Sequence, residues 1–352
     1  MKRLLMWKQN FQIKRHTSSI NSIDVSPDLT LLATGSSDRS VGLTNLQTKK
    51  TQYLRGHQDN IKCVSFSPNA MQLASSSNDG TTILWNSKTT ENVGILKGHQ
   101  LTVRSICWSP NGRSIVTGSN DKTAVVWSLN HFTKRQVLTG LKGWVRDVKW
   151  HQNTIAVAGN DNRILLFDTR VPKHFQSIPT GTTADITSIS FHNSSQCIAG
   201  GSFDQMIRIW DLRTSTLLQR HAAHTAPITK VAFNPFNDTL LSVGNDCFAR
   251  LWDLKAASIM ATFSHHDAPI LSCCWYPSGK GFVTTGEDRK ICSFRSEDDP
   301  IDPMSLEFDG GDIVQAIDRM RRQLVALAST MKSLDKRLLL QEEKLQWLSD
   351  IE

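Results

Sequence analysis

An aspartate that recurs at a nearly constant interval constrains this chain more than any other feature of its sequence. The intervals are 41, 42, 40, 43, 42 and 42 residues, and the seven copies are Asp38, Asp79, Asp121, Asp161, Asp204, Asp246 and Asp288. Six residues after the aspartate stands an aromatic residue in six units, and Thr44 in the first. Repeats of this length predict small sheets that bury their faces against their neighbours.

A second series of residues keeps a fixed distance from these aspartates. Twenty-two residues before the aspartate, five units carry a histidine, and four residues before it the same five carry serine or threonine. The histidine and the hydroxyl residue are kept or lost together, which indicates that they belong to a buried hydrogen-bond chain. A buried polar group that loses its partner costs about 1–3 kcal/mol. Units two, three and six carry all four residue types: His57, Ser75, Asp79 and Trp85; His99, Thr117, Asp121 and Trp127; His224, Ser242, Asp246 and Trp252.

These residues resemble the WD40 repeat, whose histidine, hydroxyl, aspartate and tryptophan form a network within each four-stranded blade of a propeller. The Trp-Asp pair itself occurs at Trp210 and again at Trp252. We therefore expect an all-β, seven-bladed propeller over residues 1–295. The seventh unit has no fourth strand after Phe294, so we expect the N-terminal strand, near residues 6–14, to pair there and close the ring.

Histidine, hydroxyl and aspartate are also the residue types of a nucleophilic triad. A set repeated in five units is typical of scaffold, since an enzyme needs one site. The seven cysteines are scattered except for Cys273 and Cys274, which indicates neither a disulfide framework nor a zinc site, and their usage favours a reducing compartment. We expect no enzymatic activity, no cofactor and no metal.

Charge is unevenly distributed along the chain. Residues 296–352 hold 7 Lys and Arg against 13 Asp and Glu, which leaves a net charge of +14 on residues 1–295. A basic body favours acidic partners. Only this charge favours nucleic acid as a partner. The sequence indicates no stacking aromatic residues in a basic groove, so nucleic-acid binding is not expected. Neither a signal peptide nor a membrane-spanning apolar run is apparent, so we expect a cytoplasmic protein without a membrane partner.

The C-terminal region has a different period. After an acidic linker rich in Pro and Gly, residues 296–311, the heptad pattern predicts an α-helical coiled coil over residues 312–350 and therefore a homo-oligomer, with dimer and trimer both open. Ten of the eleven seam positions are apolar, and Gln341 is the exception. The apolar seam residues are Ile313, Ile317, Met320, Leu324, Leu327, Met331, Leu334, Leu338, Leu345 and Leu348.

Both rims of such a propeller would be basic. The WD40 layout implies that the residue five after the histidine position points to the channel: Asn21, Lys62, Arg104, Arg146, Thr187, Thr229 and Leu271. Lys62, Arg104, Arg146 and the nearby Trp144 are candidates for binding an acidic or aromatic peptide, the alternative being a solvated rim with Trp144 tucked against a loop. The turns of the opposite rim carry Lys49, Lys50, Lys88, Lys134, Arg135, Arg170, Lys173, Arg213 and Lys255.

Seven WD units, a short linker and a C-terminal coiled coil resemble the centriole and basal-body family called proteome of centriole protein one, as does the stretch from Trp144 to Arg146. The resemblance implies a cytoskeletal scaffold that joins or stabilises triplet microtubules, binds tubulin or microtubule-associated centriolar proteins, self-associates and supports assembly of the cilium or flagellum. Thr44 in place of the first tryptophan and the short linker depart from the family.

A second reading belongs to another functional class. The tetrapeptides that end at Arg170 and Arg213 both read Trp or Phe, Asp, any residue, Arg. In WD40 proteins this motif marks substrate receptors that dock on the adaptor of a cullin-type ubiquitin ligase, where the arginine would form a bidentate pair. The simpler alternative is that each arginine caps the end of its strand.

Overall fold

The computed structural model describes residues 7–170 and 174–296. Within them are 28 strands. In chain order they are β1 (Trp7–Lys14), β2 (Ile20–Val25), β3 (Leu31–Ser36), β4 (Ser40–Asn45), β5 (Thr51–Arg55), β6 (Ile61–Phe66), β7 (Gln72–Ser77), β8 (Thr81–Asn86), β9 (Asn92–Lys97), β10 (Val103–Trp108), β11 (Ser114–Ser119), β12 (Ala124–Ser128), β13 (Thr133–Leu138), β14 (Val145–His151), β15 (Thr154–Gly159), β16 (Arg163–Asp168), β17 (His174–Pro179), β18 (Ile186–Phe191), β19 (Cys197–Ser202), β20 (Met206–Asp211), β21 (Leu217–Ala222), β22 (Ile228–Phe233), β23 (Thr239–Gly244), β24 (Ala249–Asp253), β25 (Ser258–Phe263), β26 (Ile270–Trp275), β27 (Gly281–Gly286) and β28 (Lys290–Ser296).

The strands form seven antiparallel four-stranded sheets, so the predicted all-β, seven-bladed propeller is confirmed. Blade one is β2–β5, each later blade takes the next four strands, and blade seven joins β26–β28 to β1. The innermost strand of each blade contacts the innermost strands of both neighbours, and β26 meets β2 to complete the circle. The linker beyond Ser296 and the predicted coiled coil lie outside the described residues.

The core lies between the blades. In blade two the middle strands β7 and β8 are buried almost throughout, because neighbouring blades cover both of their faces. The inner strand β6 alternates buried with half-buried positions, since one face meets the channel. Apolar clusters cross the blade boundaries, as where Leu43 of blade one packs with Phe66 of blade two. Among the described residues, no helix has the length and apolar character needed to cross a membrane.

The first and last described strands close the ring. β1 runs antiparallel to β28, from Trp7 opposite Ser296 to Lys14 opposite Lys290. The Trp7 ring lies 6.4 Å from the Phe263 ring, 6.2 Å from the Trp275 ring and 5.4 Å from the Phe282 ring. The pairing converts β28 from an open edge into an interior strand.

Candidate functional site

Each complete blade contains one hydrogen-bonded chain from its outer loop to its middle strands. In blade two His57 Nδ1 lies 3.0 Å from Asp79 Oδ2, and His57 Nε2 lies 2.9 Å from Ser75 Oγ. Trp85 Nε1 donates to the same Ser75 hydroxyl at 2.8 Å. Corresponding contacts join His99, Thr117, Asp121 and Trp127, and His224, Ser242, Asp246 and Trp252.

The aspartate of this chain also organises its own turn. Asp79 accepts hydrogen bonds from Gln58 N at 2.9 Å, Thr81 N at 2.8 Å and Thr81 Oγ1 at 2.6 Å. Burial alone would raise the pKa of Asp79, but the donors from His57, Thr81 and Gln58 hold that pKa well below its usual range. The carboxylate therefore ties the loop before β6 to the turn before β8 and fixes the rim around them.

The other four blades vary this chain. Blades one and seven keep histidine, hydroxyl and aspartate, as in the contact of His16 with Asp38 and that of His266 with Asp288. In blade four, Asp161 has no hydrogen bond within residues 7–170 and 174–296.

Blade five has Thr182 at the histidine position, and an arginine of β20 contacts the turn aspartate. Arg208 Nη2 donates to Asp204 Oδ2 at 2.6 Å, and Thr182 Oγ1 donates to the same oxygen at 2.9 Å. With Gly200 at the hydroxyl position, the buried Nε1 of Trp210 finds no acceptor among the described residues. The turn aspartate is thus anchored in blade five by a guanidinium that the repeat pattern does not indicate.

A bulge aims one residue of each inner strand at the channel. The pairing between inner and second strand shifts register at the second residue of the inner strand in all seven blades. A bulged residue falls outside the ladder, and its side chain is re-aimed. The bulged residues are Asn21, Lys62, Arg104, Arg146, Thr187, Thr229 and Leu271, and together they line a single cavity of about 340 Å³.

Arg146 differs from the other two rim cations because the next blade neutralises it. Its Nη2 and Nε donate to Asp185 Oδ2 at 2.9 and 3.2 Å. Its guanidinium carbon lies 5.4 Å from the centre of the Trp144 ring and 5.5 Å from that of Phe203. The three predicted rim cations are therefore not equivalent, since Arg146 is paired and held between two rings.

Trp144 stands exposed on this rim. Its relative exposure is 44%, and that of Phe203 is 42%, so both rings offer apolar surface to a partner. The loop is held by close backbone contact: Asn160 N donates to Trp144 O at 3.0 Å. A Cβ at Gly159 would collide with the Trp144 carbonyl, and one at Gly143 with the Asn160 carbonyl, so only glycine permits this approach.

Sequence reasoning missed Phe203 and Asp185, although both leave a signal. Phe203 occupies the position before the turn aspartate, where units two, three, four and six carry asparagine. Asp185 has the same register in its unit as Trp144 has in the preceding one. Two irregular residues of unit five thus mark the place where the rim departs from the plain repeat.

Lys62 and Arg104 have a different environment from Arg146. Arg104 Nε donates to Asn120 Oδ1 at 3.0 Å, a neutral partner that leaves the rest of its guanidinium facing the cavity. Burial and the charge of Arg146 lower the pKa of Arg104, which Asp185 offsets only in part. Burial and the charge of Arg104 lower the pKa of Lys62, which Asp59 offsets only in part. The two side chains therefore face the cavity with little local compensation.

The opposite rim is basic but partly self-paired. Arg170 donates from Nε to its own turn carboxylate, Asp168 Oδ1, at 2.9 Å, the contact expected of a residue that caps its strand end. Lys134 Nζ donates to Gly98 O at 2.8 Å, whereas Lys49, Lys50 and Arg135 are exposed. In the described part of the chain, no group of three His, Cys, Asp or Glu is arranged to hold a metal ion.

Comparison with known families identifies the repeat. The WD40 family, described as WD domain, G-beta repeat, matches residues 7–44, 48–86, 90–128, 173–211, 215–253 and 257–294, more than half of the chain. The unmatched residues 129–172 contain β14–β16 of blade four, one of the two blades that lack the histidine and hydroxyl. No curated protein matches the chain. Propellers of this family are generally non-catalytic platforms for protein interactions. The chain belongs to the WD40 repeat family.

Proposed function

We propose that this protein is a non-catalytic scaffold of centrioles and basal bodies in the cytoskeleton. Its propeller contacts tubulin or a microtubule-associated centriolar protein, and its C-terminal heptads join copies of the chain into a homo-oligomer. In this role it joins or stabilises triplet microtubules and supports assembly of the cilium or flagellum. The overall outline of the sequence and its basic body support the proposal.

The observation that carries the binding role is the composition of the rim around the channel mouth. Lys62 and Arg104 line its cavity, and beside them Trp144 and Phe203 expose their rings on either side of Arg146. Cations next to exposed aromatic surface suit an acidic partner that also buries apolar side chains. We name this surface, formed by Lys62, Arg104, Trp144, Arg146 and Phe203, the channel-mouth face.

Charge reversal on the channel-mouth face is expected to reduce recruitment to centrioles. The variant Lys62→Glu/Arg104→Glu removes the attraction for an acidic surface and opposes it with two negative charges. Fluorescence of a tagged copy at centrioles of ciliated cells measures recruitment. Binding of the purified full chain to microtubules should weaken with added salt, because exposed charges are screened over about 8 Å at physiological ionic strength.

The matched control reverses two exposed charges on the opposite rim, Lys50→Glu/Arg135→Glu. Loss of recruitment in this variant, with the first unaffected, would assign binding to the opposite rim. A third variant, Arg170→Glu/Arg213→Glu, tests the ubiquitin-ligase reading. If only this pair abolishes function and the protein co-purifies with a cullin adaptor, the scaffold proposal is wrong.

Self-association is expected to depend on the heptad region. Full-length protein should be a dimer or trimer, and a chain that ends at Ser296 should be a monomer, because the blades bury their own core whereas an apolar seam needs a second helix. Light scattering coupled to size exclusion gives the mass of each. Replacing Leu324 and Leu338 together by Asp should also yield a monomer. Equal oligomeric states with and without residues 312–352 would contradict the expectation.

A further inference from the structure

The cavity at the channel mouth holds more positive than negative side chains. Its charged lining consists of Lys62, Arg104, Arg146, Lys230, Asp147 and Glu287. Four cations thus face two carboxylates. Whether an excess of this kind points to a ligand depends on which of these charges already have partners.

Asp147 is occupied by groups of the channel wall. It accepts hydrogen bonds from Ser105 Oγ at 2.6 Å, Ser188 Oγ at 2.9 Å and Ile189 N at 3.0 Å. Lys230 Nζ lies 3.5 Å from the same carboxylate. Because Arg146 is paired with Asp185, two of the four cations, Lys230 and Arg146, are neutralised by the protein.

Lys62 and Arg104 remain. Within residues 7–170 and 174–296, no carboxylate forms an ion pair with Lys62 or Arg104. This includes Glu287, the second carboxylate of the lining, and Lys62 Nζ has no hydrogen-bond partner. Both are half-buried, come from the bulges of adjacent inner strands and line the same cavity. Two like charges held together in a partly desolvated site repel each other, and an anion between them removes the repulsion.

We propose that the channel mouth binds one phosphoryl dianion between the guanidinium of Arg104 and the ammonium of Lys62. A phosphate monoester carries about −1.5 to −2 charges at pH 7, which matches two unneutralised cations better than a single carboxylate does. The fork of Arg104 suits two phosphoryl oxygens, and Lys62 adds a point charge. The inference rests on the proposed function, because it names the chemical group that a partner presents to the channel-mouth face.

The same group occurs as free inorganic phosphate and on a phosphorylated side chain. We would titrate the purified full-length protein separately with inorganic phosphate, O-phosphoserine, serine and acetate at constant ionic strength. ³¹P NMR follows the first two, and calorimetry follows all four. Both phosphorylated probes are expected to bind, whereas serine and acetate bind at least about tenfold more weakly. Tighter binding of O-phosphoserine assigns the site to a phosphorylated side chain, and tighter binding of inorganic phosphate assigns it to the free anion.

Two double variants with the same loss of charge decide the location. Lys62→Gln/Arg104→Gln should weaken phosphate binding by about tenfold or more, and Lys88→Gln/Arg213→Gln, on the opposite rim, should leave it unchanged. The first variant removes a repulsive pair and should melt no lower than the parent, which shows that it folds. Equal affinity in the two variants, or acetate binding as tightly as phosphate, would overturn the proposal. Because no cell is involved, the result is independent of recruitment to centrioles.

Discussion

Replacing Asp79 with alanine is expected to destabilise the propeller by about 3 kcal/mol, since it removes at once the acceptor of the buried His57 and of the donors of the two adjoining loops. The variant loses the acceptor of His57 Nδ1 and of the Gln58 and Thr81 amides. His57 then keeps only its contact with Ser75 and is no longer oriented by the carboxylate. The matched control is Asp161→Ala in blade four, which should cost no more than about 0.5 kcal/mol. Chemical denaturation gives the free energy of unfolding of each variant.

The effect should also depend on pH with a defined sign. Because the folded protein holds the pKa of Asp79 below its unfolded value, the stabilisation is complete above the unfolded pKa and is lost as the pH falls through the folded pKa. The difference in unfolding free energy between wild type and Asp79→Ala should therefore narrow below about pH 4. Equal destabilisation by Asp79→Ala and Asp161→Ala at pH 7 would refute a stabilising network.

Removing residues 1–14 is expected to have the larger effect, of roughly 5 kcal/mol or more, because loss of a packed tryptophan alone costs about 3–5 kcal/mol. The deletion removes the Trp7 ring from Phe263, Trp275 and Phe282 and strips the pairing partner from β28. The newly open edge should also promote aggregation. Thermal unfolding and size-exclusion chromatography measure the two consequences.

Single substitutions in β1 separate packing from strand loss. Trp7→Ala should lower the melting temperature markedly, whereas Gln12→Ala, at an exposed position of the same strand, should change it little. A deleted chain that stays monomeric and melts like the parent would mean that the ring does not need its first strand.

The blades can be predicted from sequence because the same local requirement recurs in each unit. In six of the seven blades the aspartate of the turn before the third strand accepts a hydrogen bond from a backbone amide two residues later, and these aspartates recur at nearly equal intervals. The positions on the channel rim follow from the same spacing.

Contacts between unlike units are not predictable in this way. Asp185 neutralises Arg146 from the next blade, and Phe203 stacks on it from a turn whose counterparts carry polar residues. No period relates these residues, so only the packing of blade four against blade five brings them together. Arg208 pairs with Asp204 in blade five, and Arg250 pairs with Asp246 in blade six, where the histidine is kept. The other five units have no arginine at this position, so the shared repeat does not indicate these contacts.

The closure of the ring also sets the order in which the protein matures. β1 leaves the ribosome well before its partner β28, which is the last described strand of the chain. At about 5–20 residues per second, the intervening residues take roughly 15–60 s to synthesise. Throughout that time β1 stays unpaired, and contacts so distant in sequence form slowly. Four exposed polar residues of β1 oppose aggregation of the strand while it is unpaired: Lys8, Gln9, Gln12 and Lys14. Blades one to six can assemble during translation, and blade seven is completed only after Ser296 has emerged.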